Sequence, residues 1–426
     1  MVWMVKSVLC FVTERRFTHD KGGDMKRWQS LLAGFAVCLL GISLAESAQA
    51  LSISGRSSTE IEWYDNADGD TAVPAYEYLL LNVKDIDGAG LNFRGYGRIA
   101  DDLANEVDVD SRLYYAYLEK RELLPNVDVK LGRQFISTTA GASLMDGLYL
   151  KVRDLGPFSL TVFGGGDVSY YAGYNAKDLI DGVELSGKFD NLQLGLSYIQ
   201  RWEESELANE LIGFNADYEY RKMFSLFGEG QFNYLSNSIS YFNGGFDYHR
   251  DPDWSWRAEY LYSLPVFSST SIYSVFAVDE YQEVATELSF RHGQGVRSFV
   301  KYTREIYQDF DDANVLEGGV EKIRTDRLSY YLSGVLREGN DGQDLRGVRA
   351  HGSWFFNRYF QAGVGADLDV LERRIEETDE TSSSRVWVDA TATINKKINV
   401  QAKVDRAESD LWDEYYRGRV RLNILF

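Results

Sequence analysis

Cysteine is almost absent from this 426-residue chain, with only Cys10 and Cys38 present. Both precede what reads as an export cleavage site. The chain from Leu51 onward therefore has no disulfide, no thiolate metal site and no covalent c-type haem attachment. Histidine is nearly as scarce. Beyond residue 50 only His249, His292 and His351 remain, too few for a histidine-rich metal site. Long apolar runs are missing too. No stretch of 18 apolar residues follows the leader, which excludes a conventional membrane-spanning helix there. Positive charge is in deficit, with 45 Lys/Arg against 65 Asp/Glu and a net charge of −20. Residues 1–50 carry an excess of Lys and Arg, so the remainder is more acidic still. A duplex nucleic-acid partner, which needs basic neutralisation, is disfavoured.

What is present begins with the leader. From Met25 the chain reads MKRWQSLLAGFAVCLLGISLAESAQA. Lys26 and Arg27 form a basic head, Leu31 to Leu44 a short apolar run, and Ala48-Gln49-Ala50 a small-x-small cleavage site. Residues 25–50 are read as a cleaved signal peptide, residues 1–24 as an over-extended start, and 51–426 as a single domain. FAVC lacks the small residue expected before a lipidated cysteine, which argues against a lipoprotein.

The exported part alternates with period two. GLNFRGYGRIA sets Leu91, Phe93 and Ile99 against Asn92, Arg94, Tyr96 and Arg98. WSWRAEYLY, FQAGVGADLDV and INVQAKVD repeat the pattern, and no helical period persists. Segments of roughly nine to thirteen residues suffice to cross a bilayer at a tilt. Short connections, as near 86–89, 121–125 and 154–157, alternate with longer polar ones, as near 65–75, 102–109, 136–145 and 370–383. That rhythm suits a barrel with short periplasmic turns and longer outer loops. Treating 314–337 as one strand yields an odd count of 21. Splitting it at Arg324-Thr325-Asp326 restores parity. The expected fold is thus all-β, a transmembrane antiparallel barrel of 22 strands (20 or 18 as alternatives) without a plug domain. The apolar connection 263–281 is expected to be a structured loop, able to enter the lumen as a constriction.

The chain resembles a Gram-negative outer-membrane porin-type β-barrel. The resemblance rests on the Ala48-Gln49-Ala50 signal, the repeated amphipathic strands and the closing RVRLNILF, whose Val420, Leu422, Ile424 and Phe426 share one register. It implies that Phe426 serves as an assembly signal for the outer-membrane insertion machinery. It also implies partners in outer-membrane lipid and lipopolysaccharide. Gly132-Arg133-Gln134 and Asp146-Gly147 resemble a strand-end phrase of larger porins, which fixes no ligand.

The expected function is passive diffusion of ions or small solutes, with selectivity set by lumen charges. Arg94, Arg98, Lys130, Arg257, Glu259, Arg417, Arg419 and Arg421 are the candidate pore-lining residues. The three arginines of the last strand have a candidate counter-charge in Glu60 and Glu62, which share a face of the first strand; closure and ion conduction are both open to them, with closure slightly favoured. The acidic balance overall points to a mild cation preference. Tyr198, Tyr234, Trp254 and Tyr262 are candidates for the aromatic girdle. No catalytic, metal or cofactor site is expected. Asp247, His249, His292 and Ser289 do not assemble into a nucleophilic set. A second reading is a sheath, since a wide unplugged barrel can house a multihaem cytochrome; the haems would be the partner's, because no CxxCH occurs here. Monomer and trimer both remain open.

Overall fold

Segments that alternate apolar and polar side chains can bury one face only if the sheet's other face meets water. In a bilayer the sheet must also close, because an open edge leaves backbone groups unpaired. The computed structural model of the chain shows this solution. It describes residues 52–66, 68–169, 173–265, 280–309, 311–324, 326–339, 344–372, 380–410 and 412–426. The readings of residues 1–24 and 25–50 lie outside the described residues.

In chain order the strands are β1 (Ser52–Asp65), β2 (Thr71–Ala72), β3 (Pro74–Lys84), β4 (Leu91–Asp102), β5 (Arg112–Leu124), β6 (Val127–Thr138), β7 (Gly141–Leu155) and β8 (Phe158–Ser169). There follow β9 (Gly173–Phe189), β10 (Leu192–Glu203), β11 (Glu206–Tyr220), β12 (Phe224–Asn233), β13 (Ser238–Asp251), β14 (Trp254–Ser263), β15 (Tyr281–Gly293) and β16 (Val296–Tyr307). The last are β17 (Ala313–Lys322), β18 (Leu328–Gly339), β19 (Leu345–Asn357), β20 (Phe360–Glu372), β21 (Glu380–Asn395), β22 (Ile398–Ser409) and β23 (Trp412–Leu425). β2 is a two-residue strand at the tip of the first hairpin, so 22 long strands form the wall. The segment 314–337 is indeed two strands, β17 and β18, paired antiparallel from Ala313↔Gly339 to Lys322↔Tyr330. Every neighbour pair is antiparallel, and β23 returns to β1 from Arg56↔Leu425 through Tyr64↔Arg417. The barrel is closed.

Both ends of the described barrel lie on the side of the short turns. These turns are built from residues that accept a left-handed backbone, such as Asn126 (φ 64°), Asp154 (φ 58°), Gly156 (φ 67°) and Gly295 (φ 79°). On the other side the expected long connections near 136–145 and 202–209 need correction: only two residues separate β6 from β7 and β10 from β11, while the four between β12 and β13 form a short hairpin there. The ladder continues past the point where apolar alternation stops, because strand ends beyond the bilayer need no greasy face. The expected constriction at 263–281 falls largely outside the described residues.

One register carries large apolar side chains that remain exposed. Leu131, Leu196, Val300, Val364 and Val388 are each more than half exposed. A closed barrel presenting such a belt turns it toward lipid. The opposite register is the inner face.

Candidate pore and its inward hairpin

The hairpin β6–β7 leaves the wall and folds inward. The bend lies where β6 parts from β5, whose pairing ends at Ala116↔Arg133. Gly132 holds φ +122° there, and a Cβ on it would lie 2.5 Å from the Ala116 carbonyl oxygen, so no other residue fits without strain. Gly147, its cross-strand partner, packs directly on Gly165 of β8, where either Cβ would strike backbone. Arg133 spans the bend, donating from Nε and Nη2 to the two oxygens of Asp146 at 2.8 and 2.7 Å. The phrase Gly132-Arg133-Gln134 with Asp146-Gly147 is thus a hinge.

Beyond the hinge the hairpin lies flat on the inner wall. Ile136 and Met145 pack with Phe163, Ile180, Ile199 and Leu211 of β8 to β11, all nearly inaccessible, while Phe135 on the opposite register stays exposed. The tip docks by polar contacts as well. The Ala140 amide donates to Ser197 Oγ at 2.8 Å, and Gln231 Nε2 donates to the Ala140 carbonyl at 2.6 Å. The Thr139 hydroxyl donates to Asn215 Oδ1 at 2.9 Å, and Arg201 reaches the Ala142 carbonyl. Gly213 lies directly beneath; a Cβ there would sit 2.1 Å from the Ala140 nitrogen.

A closed sheet, a lipid-facing belt and an outer hairpin folded into the lumen occur together here. The chain folds as a closed antiparallel β-barrel of the kind that spans an outer membrane. No family model and no curated protein matches the barrel by sequence. Among solved structures it is similar to Pseudomonas aeruginosa OpdQ at 9% identity, covering 89% of this chain and 99% of that one with a TM-score of 0.48. Pseudomonas aeruginosa OpdO gives 11% identity, coverages of 89% and 98% and a TM-score of 0.47. Acinetobacter baumannii OccAB3 gives 8%, 88% and 99%, and 0.40.

The barrel's inner face carries charge in two opposed sectors. One sector runs from β21 through the seam to β7. In it Arg417 makes two 3.0 Å hydrogen bonds to Glu62, and Arg421 lies 3.7 Å from Glu60. Both glutamates are buried. Arg419 is in register with Glu62 on one side and Lys403 on the other. Arg94 pairs with buried Glu119 at 3.4 Å. Arg98 donates to the Asp110 carbonyl at 3.1 Å and covers the Tyr76 ring, and Lys130 sits between the rings of Tyr117 and Tyr149. Arg417 and Arg421 thus pair across the seam with Glu62 and Glu60, while Arg419 has no carboxylate within ion-pair distance among the described residues.

The facing sector, β13 to β17, is richer in carboxylates. Arg257 is held by Glu259 at 2.8 Å and Asp247 at 3.7 Å. Arg297 bridges Glu287 and Glu321, and Lys301 lies 3.7 Å from Glu283. Of the histidines, His351 meets Asp389 at 2.7 Å and His292 meets Ser298 at 2.7 Å. Asp247 instead pairs with Arg257, and Ser289 pairs with Ser255, so these residues do not form a triad.

The girdle candidates fall as follows. Tyr198, Trp254 and Tyr262 share the lipid-facing register of their strands. Tyr198 donates to Glu210, Tyr262 donates to Glu280 at 3.2 Å, and Trp254 packs edge-on against Tyr248 at 5.5 Å. Tyr234 lies in the β12–β13 turn, largely exposed. Phe426 lays its ring over Gly55, and the two residues exchange backbone hydrogen bonds of 3.0 and 3.1 Å. The residues that dock the hairpin, Ser197, Gly213, Asn215 and Gln231, were not among the sequence candidates. The signal was present: Ile136, Met145, Ile180 and Ile199 are apolar on the register that elsewhere is polar.

Proposed function

We propose that this barrel is a diffusion channel for ions and small solutes, narrowed by the β6–β7 hairpin and tuned by its two charged sectors. The observation that carries the reading is the docked hairpin. A loop held by four side-chain hydrogen bonds and a buried apolar patch is a built constriction, and a constriction has a use only in a conduit. The opposed sectors support a transverse field across the water, which sorts solutes by dipole and charge. Arg94, Arg98, Lys130, Arg417, Arg419 and Arg421 would line one wall and Arg257 with Glu259 the other. The local field, rather than the net charge of the chain, would set ion preference.

The same observation weighs against the cytochrome sheath, since a hairpin fastened across the inner wall takes space a threaded partner needs. The non-enzymatic reading is consistent with the scattered histidines. Phe426 as an assembly signal, and contacts with lipopolysaccharide and the insertion machinery, belong to the same proposal. The test is single-channel recording in planar bilayers with the folded barrel. A steady, ion-selective open state is expected. Verified folded barrel without pore current overturns the channel reading, and co-purification of a haem band with native barrel would favour the sheath.

A further inference from the structure

Six tyrosines form a continuous ring-to-ring path over the inner side of β3, β4 and β5. Tyr76 and Tyr78 lie 6.1 Å apart between centroids, and Tyr78 stacks on Tyr96 at 6.4 Å. Tyr96 meets both Tyr114 at 4.8 Å and Tyr115 at 5.8 Å, and Tyr115 continues to Tyr117 at 5.8 Å. The double contact of Tyr96 comes from a bulge between β4 and β5 at Tyr96/Gly97, which re-aims a side chain. Lys130 then bridges Tyr117 and Tyr149, 5.6 and 4.8 Å from the two rings, and carries the path to β7 at the foot of the inward hairpin.

These rings are not core. Each is part-exposed on the inner register. Nor are they girdle residues, which belong on the lipid side. Three cations are laid on the path, Arg98 over Tyr76 at 5.1 Å, Arg421 over Tyr78 at 5.4 Å and Lys130 as above. Arg421 is paired with Glu60, and Glu119 is engaged by Arg94, whereas Arg98 and Lys130 have no carboxylate within ion-pair distance among the described residues. The path thus offers flat apolar faces at steps of 4.8–6.4 Å, phenolic hydroxyls beside them, and uncompensated positive charge.

We infer that this stripe is a binding track for an extended acidic oligosaccharide entering the pore. The inference rests on the channel reading. Successive sugar rings lay their C–H faces on successive tyrosines, their hydroxyls hydrogen-bond to phenols, and their carboxylates meet Arg98 and Lys130. A single aromatic acid would occupy one or two rings and leave the rest without use. A solute built of repeating rings uses the whole path.

The test records current through the folded barrel while oligogalacturonate, or a neutral maltooligosaccharide of equal length, is added. Oligogalacturonate is expected to interrupt the current transiently, with the neutral chain at least tenfold weaker. Tyr96→Ala with Tyr115→Ala should raise the half-blocking concentration about tenfold, the scale of two lost ring contacts. Tyr96→Phe with Tyr115→Phe, which keeps the rings and guards against misfolding, should stay within a few-fold of wild type. Arg98→Gln with Lys130→Gln should erase the preference for the acidic chain. Uninterrupted current, equal block by both sugars, or block indifferent to the alanine pair overturns the track while leaving the channel intact. Loss of all current in the wild-type barrel overturns the channel reading instead.

Discussion

Replacing Gly213 with valine should release the hairpin without opening the barrel. The Cβ of any side chain at this position would lie 2.1 Å from the Ala140 nitrogen, 2.3 Å from the Thr139 carbonyl carbon and 2.6 Å from the Ala140 Cα. All three are backbone atoms, so the hairpin tip has to move. With it go the bonds from Ala140 to Ser197, from Gln231 to Ala140 and from Thr139 to Asn215. At about 1 kcal/mol net each, their loss is about 3 kcal/mol, roughly a hundredfold in the ratio of docked to undocked hairpin. The wall itself is spared. Gly213 keeps its register with Ser197 and Gln231 in the β10–β11–β12 ladder, and valine suits a strand. Single-channel recordings of Gly213→Val should show larger conductance and frequent current fluctuation, while heat-dependent gel mobility of the folded form is retained. Unchanged conductance and noise in folded variant protein would refute the hairpin as the constriction.

Three further outcomes follow from other parts of the molecule. Glu62→Gln and Arg417→Gln should each lower the denaturation midpoint of the barrel, with the double variant less than additive by roughly 1 kcal/mol, since Arg417 is half exposed and its pair is partly screened; strict additivity would show that the pair contributes nothing to closure. Asp87, in the β3–β4 turn, is held well below the usual carboxylate range by the Leu91 amide first, then by Lys120 and the Ala89 amide. Its folded pKa is depressed, so its contribution is present above the unfolded value near pH 4 and is lost as pH falls through the folded one; the stability gap between wild type and Asp87→Asn should therefore narrow on acidification, and a gap constant from pH 6 to pH 2 would contradict this. Deleting Phe426, which covers Gly55 and closes the last backbone pair, should cut the amount of barrel reaching the outer membrane, and normal surface levels would remove its assembly role.

The wall was legible because period-two alternation is a local property. INVQAKVD announces the inner Lys403 and outer Val404 of β22 without reference to any other strand. Parity then forced the division at Arg324-Thr325-Asp326, and the pairing of Glu60 and Glu62 with the last strand's arginines followed from closure. The hairpin was not legible in the same way. FISTTAGASLM reads as a polar connection, because its turn residues are small and its apolar ones are spaced loosely. What marks it is non-local: Ile180, Ile199 and Leu211 on distant strands supply a greasy inner patch, and Gly213 leaves a hole under the tip. The tyrosine path is likewise spread over three strands, and no single segment contains more than three of its rings.

On the proposed channel reading, the acidic balance of the chain need not be the charge of the pore. Many carboxylates are spent on turns and partners. Asp102 accepts the amides of Val73, Ala104, Glu106 and Val107, Asp85 accepts that of Gly90, and Asn66 with Asp65 organises the first hairpin tip. Glu60, Glu62 and Glu119 are buried beneath arginines that remain more open to water than they are. If the barrel conducts as proposed, a solute at that wall would meet guanidinium groups before carboxylates. With Lys403 and Arg419 adjacent across β22 and β23, the same sector gains two more cations that no ion pair among the described residues neutralises. A net charge of −20 is thus compatible with a locally positive wall, because Coulomb energy at a constriction is set by the charges within a Debye length of the path, about 8 Å at physiological salt, and not by the total.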